Sequence, residues 1–156
     1  AERVTPGSET SVSLLLTDTD EGTLEIIVTE GPAVYSFTAG FDELTDGGST
    51  GDAPGELASA RKIDASAAVE GKVGGRDEGD YYIFTAPAAS VTVTATADPG
   101  NERGVAVTLE DDSGSRLAFF RAQPGSEASE TVEVAAGSEV RMIVSEGPGS
   151  YSITIG

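Results

Sequence analysis

The sequence predicts an all-β chain: an antiparallel β-sandwich or barrel, preceded by an additional N-terminal three-stranded β-meander. Three observations predict it. Short segments alternate apolar and polar residues with period two. Turn signals rich in Gly, Pro and Asp separate them at sandwich spacing. A stretch near the start also returns at the end: residues 28–40 match 144–156 at eight of thirteen positions. Pro6-Gly7-Ser8-Glu9 likewise pairs with Pro124-Gly125-Ser126-Glu127, so 6–40 and 124–156 read as two copies of one unit. Repetition of this kind marks modules that bind or space.

The first strand carries Val12, Leu14 and Leu16 on one face. In the next, Leu24, Ile26 and Val28 alternate with Glu25, Ile27 and Thr29. Gly31-Pro32 supplies a turn, because proline presets its own φ and lacks the N–H a ladder needs. Tyr35, Phe37 and Ala39 form the third strand of the meander. Residues 41–56 are acidic and glycine-rich and read as a linker. A short helical turn is expected near 56–62, and no segment sustains a helical period. Tyr81-Tyr82-Ile83-Phe84-Thr85 is strongly β-prone. Val91, Val93, Ala95 and Ala97 then alternate with threonines. Two more strands carry Val105, Val107, Leu109 and Leu117, Phe119, Arg121. Ala86-Pro87, Asp98-Pro99-Gly100-Asn101 and Asp111-Asp112-Ser113-Gly114 are the turns between them. The second copy follows, with Val132 and Val134, then Val140, Met142 and Val144, then Tyr151, Ile153 and Ile155 after Gly147-Pro148. It is expected to form the same meander as the first. The organisation is therefore 1–40, the closing strands of one repeat; 41–56, a linker; and 57–156, a sandwich of ordinary size.

Composition narrows the function. The chain has 156 residues, 27 acidic and 9 basic, for a net charge of −18. Such a surface repels nucleic acid and anionic membranes. Seven of the basic residues are Arg, and the two lysines are Lys62 and Lys72. The acids read first as a solubility device that keeps strand edges unpaired, and second as salt adaptation. No apolar run is long enough to span a membrane. The chain starts without Met or a signal peptide, which reads as a mature product or an excised piece. With no Cys and no His, disulfides, thiol nucleophiles and the commonest general base are absent. No Trp accompanies the carboxylates as a sugar-cleaving cleft would need. Catalysis is not expected.

From Gly51 onward the chain resembles the bacterial and archaeal pre-peptidase C-terminal domains. The resemblance runs through Gly51-Asp52-Ala53-Pro54-Gly55-Glu56-Leu57-Ala58-Ser59-Ala60 and the glycine-flanked Ala68-Val69-Glu70-Gly71-Lys72-Val73. It continues in Gly79-Asp80-Tyr81-Tyr82-Ile83-Phe84-Thr85 and ends in Gly149-Ser150-Tyr151-Ser152-Ile153-Thr154-Ile155. It implies a jelly-roll-like β-sandwich outside the cell or on its surface, appended to a secreted protein. Some members of the family bind collagen-like or polysaccharide substrates, and many have no assigned ligand. Calcium-binding members share the ion between an acidic linker and a D-x-x-D-Y segment. Asp77-Glu78-Gly79-Asp80-Tyr81 matches that segment, and the linker offers Asp52 and Glu56. The implied calcium ligands are Asp77, Asp80 and Asp52.

The residues support competing readings. Asp77 and Asp80, three apart before a strand, suit the oxygen-rich sphere of Ca²⁺. The plainer reading is that Asp80 only caps a turn by accepting nearby backbone N–H groups. Asp18-Thr19-Asp20-Glu21-Gly22 lacks the length and closing Glu of an EF-hand and reads as a hairpin tip. Asp111-Asp112-Ser113-Gly114 reads as a plain turn. In Tyr81-Tyr82 and Phe119-Phe120, one member of each pair faces the core and the other faces away. The leading expectation is a non-catalytic extracellular β-sandwich module that spaces, anchors or binds a protein or polysaccharide surface. The rival is a structural subunit whose N-terminal strands add to a neighbouring chain and build a filament.

Overall fold

The structure, a computed structural model, describes residues 46–48, 52–74 and 79–156. Nine strands make two sheets. They are β1 (Arg61–Lys62), β2 (Val69–Val73), β3 (Asp80–Thr85), β4 (Ser90–Ala97), β5 (Val105–Glu110), β6 (Arg116–Ala122), β7 (Glu127–Glu133), β8 (Glu139–Glu146) and β9 (Gly149–Ile155). One sheet has the order β1-β3-β8-β5-β6, the other β2-β9-β4-β7. All pairings are antiparallel except β1 with β3. This is the expected all-β sandwich.

Alternation decides which residues fill it. Along β4, Val91, Val93, Ala95 and Ala97 are buried while the threonines between them face out. Tyr82, Phe84, Leu109, Met142 and Ile153 are the largest fully buried side chains. Burying each contributes on the order of 2 kcal/mol. Both aromatic pairs split as pleating requires. Tyr82 is buried and Tyr81 half-buried; Phe120 is buried and Phe119 is 53% exposed.

The described repeat is not a meander, which corrects the sequence expectation. β7 pairs with β4, β8 lies between β3 and β5, and β9 lies between β2 and β4. Successive strands thus change sheet. Period-two alternation identifies a strand and its faces but not its neighbours. At the β8–β9 corner Glu146 has φ 77° and Gly147 φ 104°, and the Gly147-Pro148 bond is cis. A Cβ on Gly147 would lie 2.5 Å from the Val73 carbonyl oxygen, so only glycine fits against β2 there. The meander expected within residues 1–40, including Tyr35, lies outside the described residues.

The stretch that reads as a linker contributes to the packing. Asp46 and Ala53 are buried, and the Pro54 carbonyl accepts the Tyr81 N–H at 3.0 Å. The expected helical turn is a single 3-10 turn, Leu57–Ser59. The two-residue β1 after it is too short to announce itself by alternation.

Candidate functional site

Asp80 opens β3 on the inward face, in line with Tyr82 and Phe84, and is fully buried. A carboxylate there needs partners, since desolvation alone is costly. Tyr151, on β9, supplies one: its hydroxyl donates to Asp80 Oδ2. The Tyr82 hydroxyl lies 2.7 Å from that of Tyr151. With the Tyr151 proton on Asp80, Tyr82 donates to Tyr151. Burial raises the pKa of both tyrosines far above the ordinary phenol range, and the Asp80 charge raises them further.

Gly71 makes room for this chain of hydroxyls. It pairs with Tyr151 across β2 and β9. A Cβ at Gly71 would sit 2.3 Å from the Tyr151 hydroxyl oxygen and 3.0 Å from Asp46 Oδ1. Asp46 arrives from the other side. It lies in a 3-10 turn (Asp46–Gly48) packed against β2. Its Oδ1 accepts the Lys72 N–H at 3.0 Å and its Oδ2 the Ala53 N–H at 3.2 Å.

Asp46, Asp52 and Asp80 therefore converge, with one carboxylate oxygen of each within 4.8 Å of the others. Asp46 and Asp80 are buried and Asp52 half-buried. Three hard oxygen donors at this spacing suit Ca²⁺, which takes six to eight oxygens. Arg61 also enters the cluster. Its Nη2 donates to the Asp52 carbonyl at 2.9 Å, and its Nη1 donates to the Asp46 carbonyl.

Of the residues implied as calcium ligands, Asp52 and Asp80 meet, and Asp77 lies outside the described residues. Asp80 accepts a tyrosine hydroxyl within the core. Glu56 is exposed, beside the 3-10 turn, and is not in the trio. Asp46 was missed. Its only sequence signal is the Asp-Gly-Gly step, which a linker reading absorbs. Asp111 is the turn residue expected: its Oδ1 accepts the N–H groups of Ser113 and Ser115 at 2.9 and 2.8 Å. The acidic loop at 18–22 lies outside the described residues.

The outer face of the five-stranded sheet, where Phe119 is exposed, Tyr81 and Ile143 are half-buried and Ala106 is buried, has a different character. Register places Tyr81, Ile143, Thr108 and Phe119 in one row across four strands. On one side of it lie Ile83, Arg141, Glu110 and Arg116; on the other, Ser145, Ala106 and Arg121. Arg121 pairs with Glu146. Three arginines beside two aromatics distinguish this face from the rest of an acidic chain. The four-stranded sheet presents hydroxyls instead. A cleft of about 490 Å³ at its end is lined by Thr96, Ser150, Ser152, Glu70, Lys72 and Asp98, among others.

Among solved structures, the pre-peptidase C-terminal domain of a collagenase from Bacillus anthracis is similar, at 21% identity. The match covers 62% of this chain and 94% of that domain, with a TM-score of 0.50. The C-terminal domain of EclA, a sugar-binding protein, is similar at 19% identity, covering 58% of this chain and 78% of that one, with a TM-score of 0.40. TmCBM61, solved in complex with beta-1,4-galactotriose, is similar at 15% identity over 59% and 74%, with a TM-score of 0.33. At its level of identity, the likeness to the collagenase domain speaks to the sandwich fold alone. No protein-family profile and no curated protein sequence matches the chain. Among the described residues, no helix is long and apolar enough to cross a membrane.

Proposed function

We propose that the chain is a non-catalytic binding module of a secreted or cell-surface protein. In this reading it grips a protein or polysaccharide surface through the outer face of its five-stranded sheet. The observation that carries it is the row Tyr81, Ile143, Phe119 flanked by Arg116, Arg121 and Arg141. Aromatics and Arg are the residues that dominate binding energy at interfaces. Phe119 is the exposed large hydrophobic among the described residues. A calcium ion at Asp46, Asp52 and Asp80, with Asp77 as a further ligand, fastens the 46–56 stretch to β3 and stabilises the domain. The convergence of three carboxylates from separate segments supports that part.

Co-sedimentation with insoluble cellulose, insoluble chitin and fibrillar collagen tests the binding reading. Phe119→Ala and Tyr81→Ala should each weaken retention by about fivefold or more, the loss of on the order of 1 kcal/mol typical of a contributing aromatic anchor. Retention unchanged in both variants would remove this face from consideration.

A further inference from the structure

The cleft at the end of the four-stranded sheet lies on a different sheet from the arginine-bearing face, and it is built on a grid. Register sets Glu70 opposite Ser152 and Ser152 opposite Thr96, one row across β2, β9 and β4. In the next row Lys72 is opposite Ser150, and the Asp98 N–H donates to the Ser150 carbonyl at 3.1 Å. Neighbouring strands lie about 4.8 Å apart and the rows are two residues apart along a strand, so the grid covers about 10 Å by 7 Å. Pro99 and Gly125 close one side. The footprint is that of one or two sugar rings.

The polar groups of the grid are uncommitted. Among the described residues, the hydroxyls of Thr96, Ser150 and Ser152 meet no protein partner, and neither the Lys72 ammonium nor the Glu70 carboxylate is in an ion pair. Asp98 Oδ1 accepts the Gly100 N–H at 2.8 Å, which leaves Oδ2. The strands that carry these groups are nonetheless held. Asp46 Oδ1 accepts the Lys72 N–H, and Tyr151, between the two serines, is anchored inside through Asp80 and Tyr82. A cleft whose few polar groups are placed in advance loses little freedom on binding.

The same groups select among ligands. An anion is opposed by Glu70, by Asp98 and by the net charge of −18. Glu70 and Asp98 stand at diagonal corners of the grid, with backbones about 12 Å apart, so they do not share a small cation. An apolar ligand would strip water from these polar side chains and return no hydrogen bond. A neutral, hydroxyl-rich ligand answers all of them. Serine and threonine hydroxyls both donate and accept, the carboxylates accept, and the ammonium donates.

We infer that this cleft is a binding site for a neutral, hydroxyl-rich ligand of one or two sugar units. Its polar groups take the place of water on the sugar hydroxyls, and the Pro99 ring covers an apolar C–H face of the sugar. The inference does not rest on the grip proposed for the five-stranded sheet. A chain with both sites holds two partners, one on each sheet.

NMR on the full chain tests the site, with cellobiose, maltose, lactose and chitobiose as separate probes at about 10 mM, enough to nearly saturate a Kd of about 1 mM. At least one should shift the amide resonances of Lys72, Thr96, Ser150 and Ser152. Thr96→Val and Ser152→Ala should each raise the Kd of that probe about fivefold, the loss of one hydrogen bond. Sodium glucuronate at the same concentration should leave these resonances in place. No shift with any of the four sugars, or shifts confined to residues of the five-stranded sheet, overturns the inference. So does a Kd unchanged in both variants, and glucuronate shifts as large as the sugar's overturn the neutral class. The map of shifted amides needs only the parent chain, so the inference can fail even if neither variant folds.

Discussion

Removing one oxygen atom from Tyr151 should cost this sandwich more than removing one from Tyr82, although both rings are buried and share a hydrogen bond. Tyr151→Phe deletes the donor to Asp80 Oδ2 and the acceptor for the Tyr82 hydroxyl. A hydrogen bond to a charged group contributes about 1.5–3 kcal/mol and a neutral one about 1 kcal/mol. The sum is about 3 kcal/mol. Tyr82→Phe deletes only the neutral bond, about 1 kcal/mol. At about 4 °C per kcal/mol for a domain of this size, the two variants should melt about 12 °C and 4 °C below the parent. The shared bond is lost in both, so the double variant should fall short of additivity by about 1 kcal/mol. Urea unfolding followed by far-ultraviolet circular dichroism, in EDTA throughout, gives all four corners of the cycle. A Tyr82→Phe loss equal to or larger than the Tyr151→Phe loss would refute the order of donors assigned here. Strict additivity would show that the two hydroxyls do not interact.

Two further outcomes follow from the same cluster. Gly71→Ala should destabilise by about 1–3 kcal/mol, the range for overpacking, because its Cβ would lie 2.3 Å from the Tyr151 hydroxyl oxygen; a parent-like urea midpoint would contradict that contact. Alkali should also unfold the domain. The unfolded phenols titrate near pH 10, whereas burial keeps Tyr82 and Tyr151 neutral well beyond it. Their stabilisation is complete below the unfolded value and is lost as pH rises past it, at up to about 1.4 kcal/mol per pH unit for each ring. Phenolate absorbance from these two rings should appear only with the unfolding transition, and their ionisation in the folded chain would count against the buried assignment.

Much of the fold was legible because alternation is local. Val91 through Ala97 announce both a strand and its buried face, and so do Val140 through Val144. Neighbours were not legible. The Gly147-Pro148 signal marks a turn, but whether the chain stays in its sheet depends on room against Val73, which no window of sequence contains. The cluster was half legible for a similar reason. Asp80 stands out before a run of aromatics. Asp46 sits among glycines, and its role depends on meeting Lys72, 26 positions away. Nothing around Arg61 in the sequence marks the two backbone carbonyls that it meets.

The bond from the Lys72 N–H to Asp46 has a consequence for company as well as for folding. β2 is the last strand of its sheet, so that N–H points to where another molecule's strand would start. A carboxylate already occupies the position. On the opposite border, β7 exposes Glu127, Glu130 and Glu133 along its length. A second copy approaching β7 meets negative charge before it meets unpaired backbone. Growth of the four-stranded sheet is thus opposed from within, by a side chain that answers a border N–H on one side and by side chains that repel on the other.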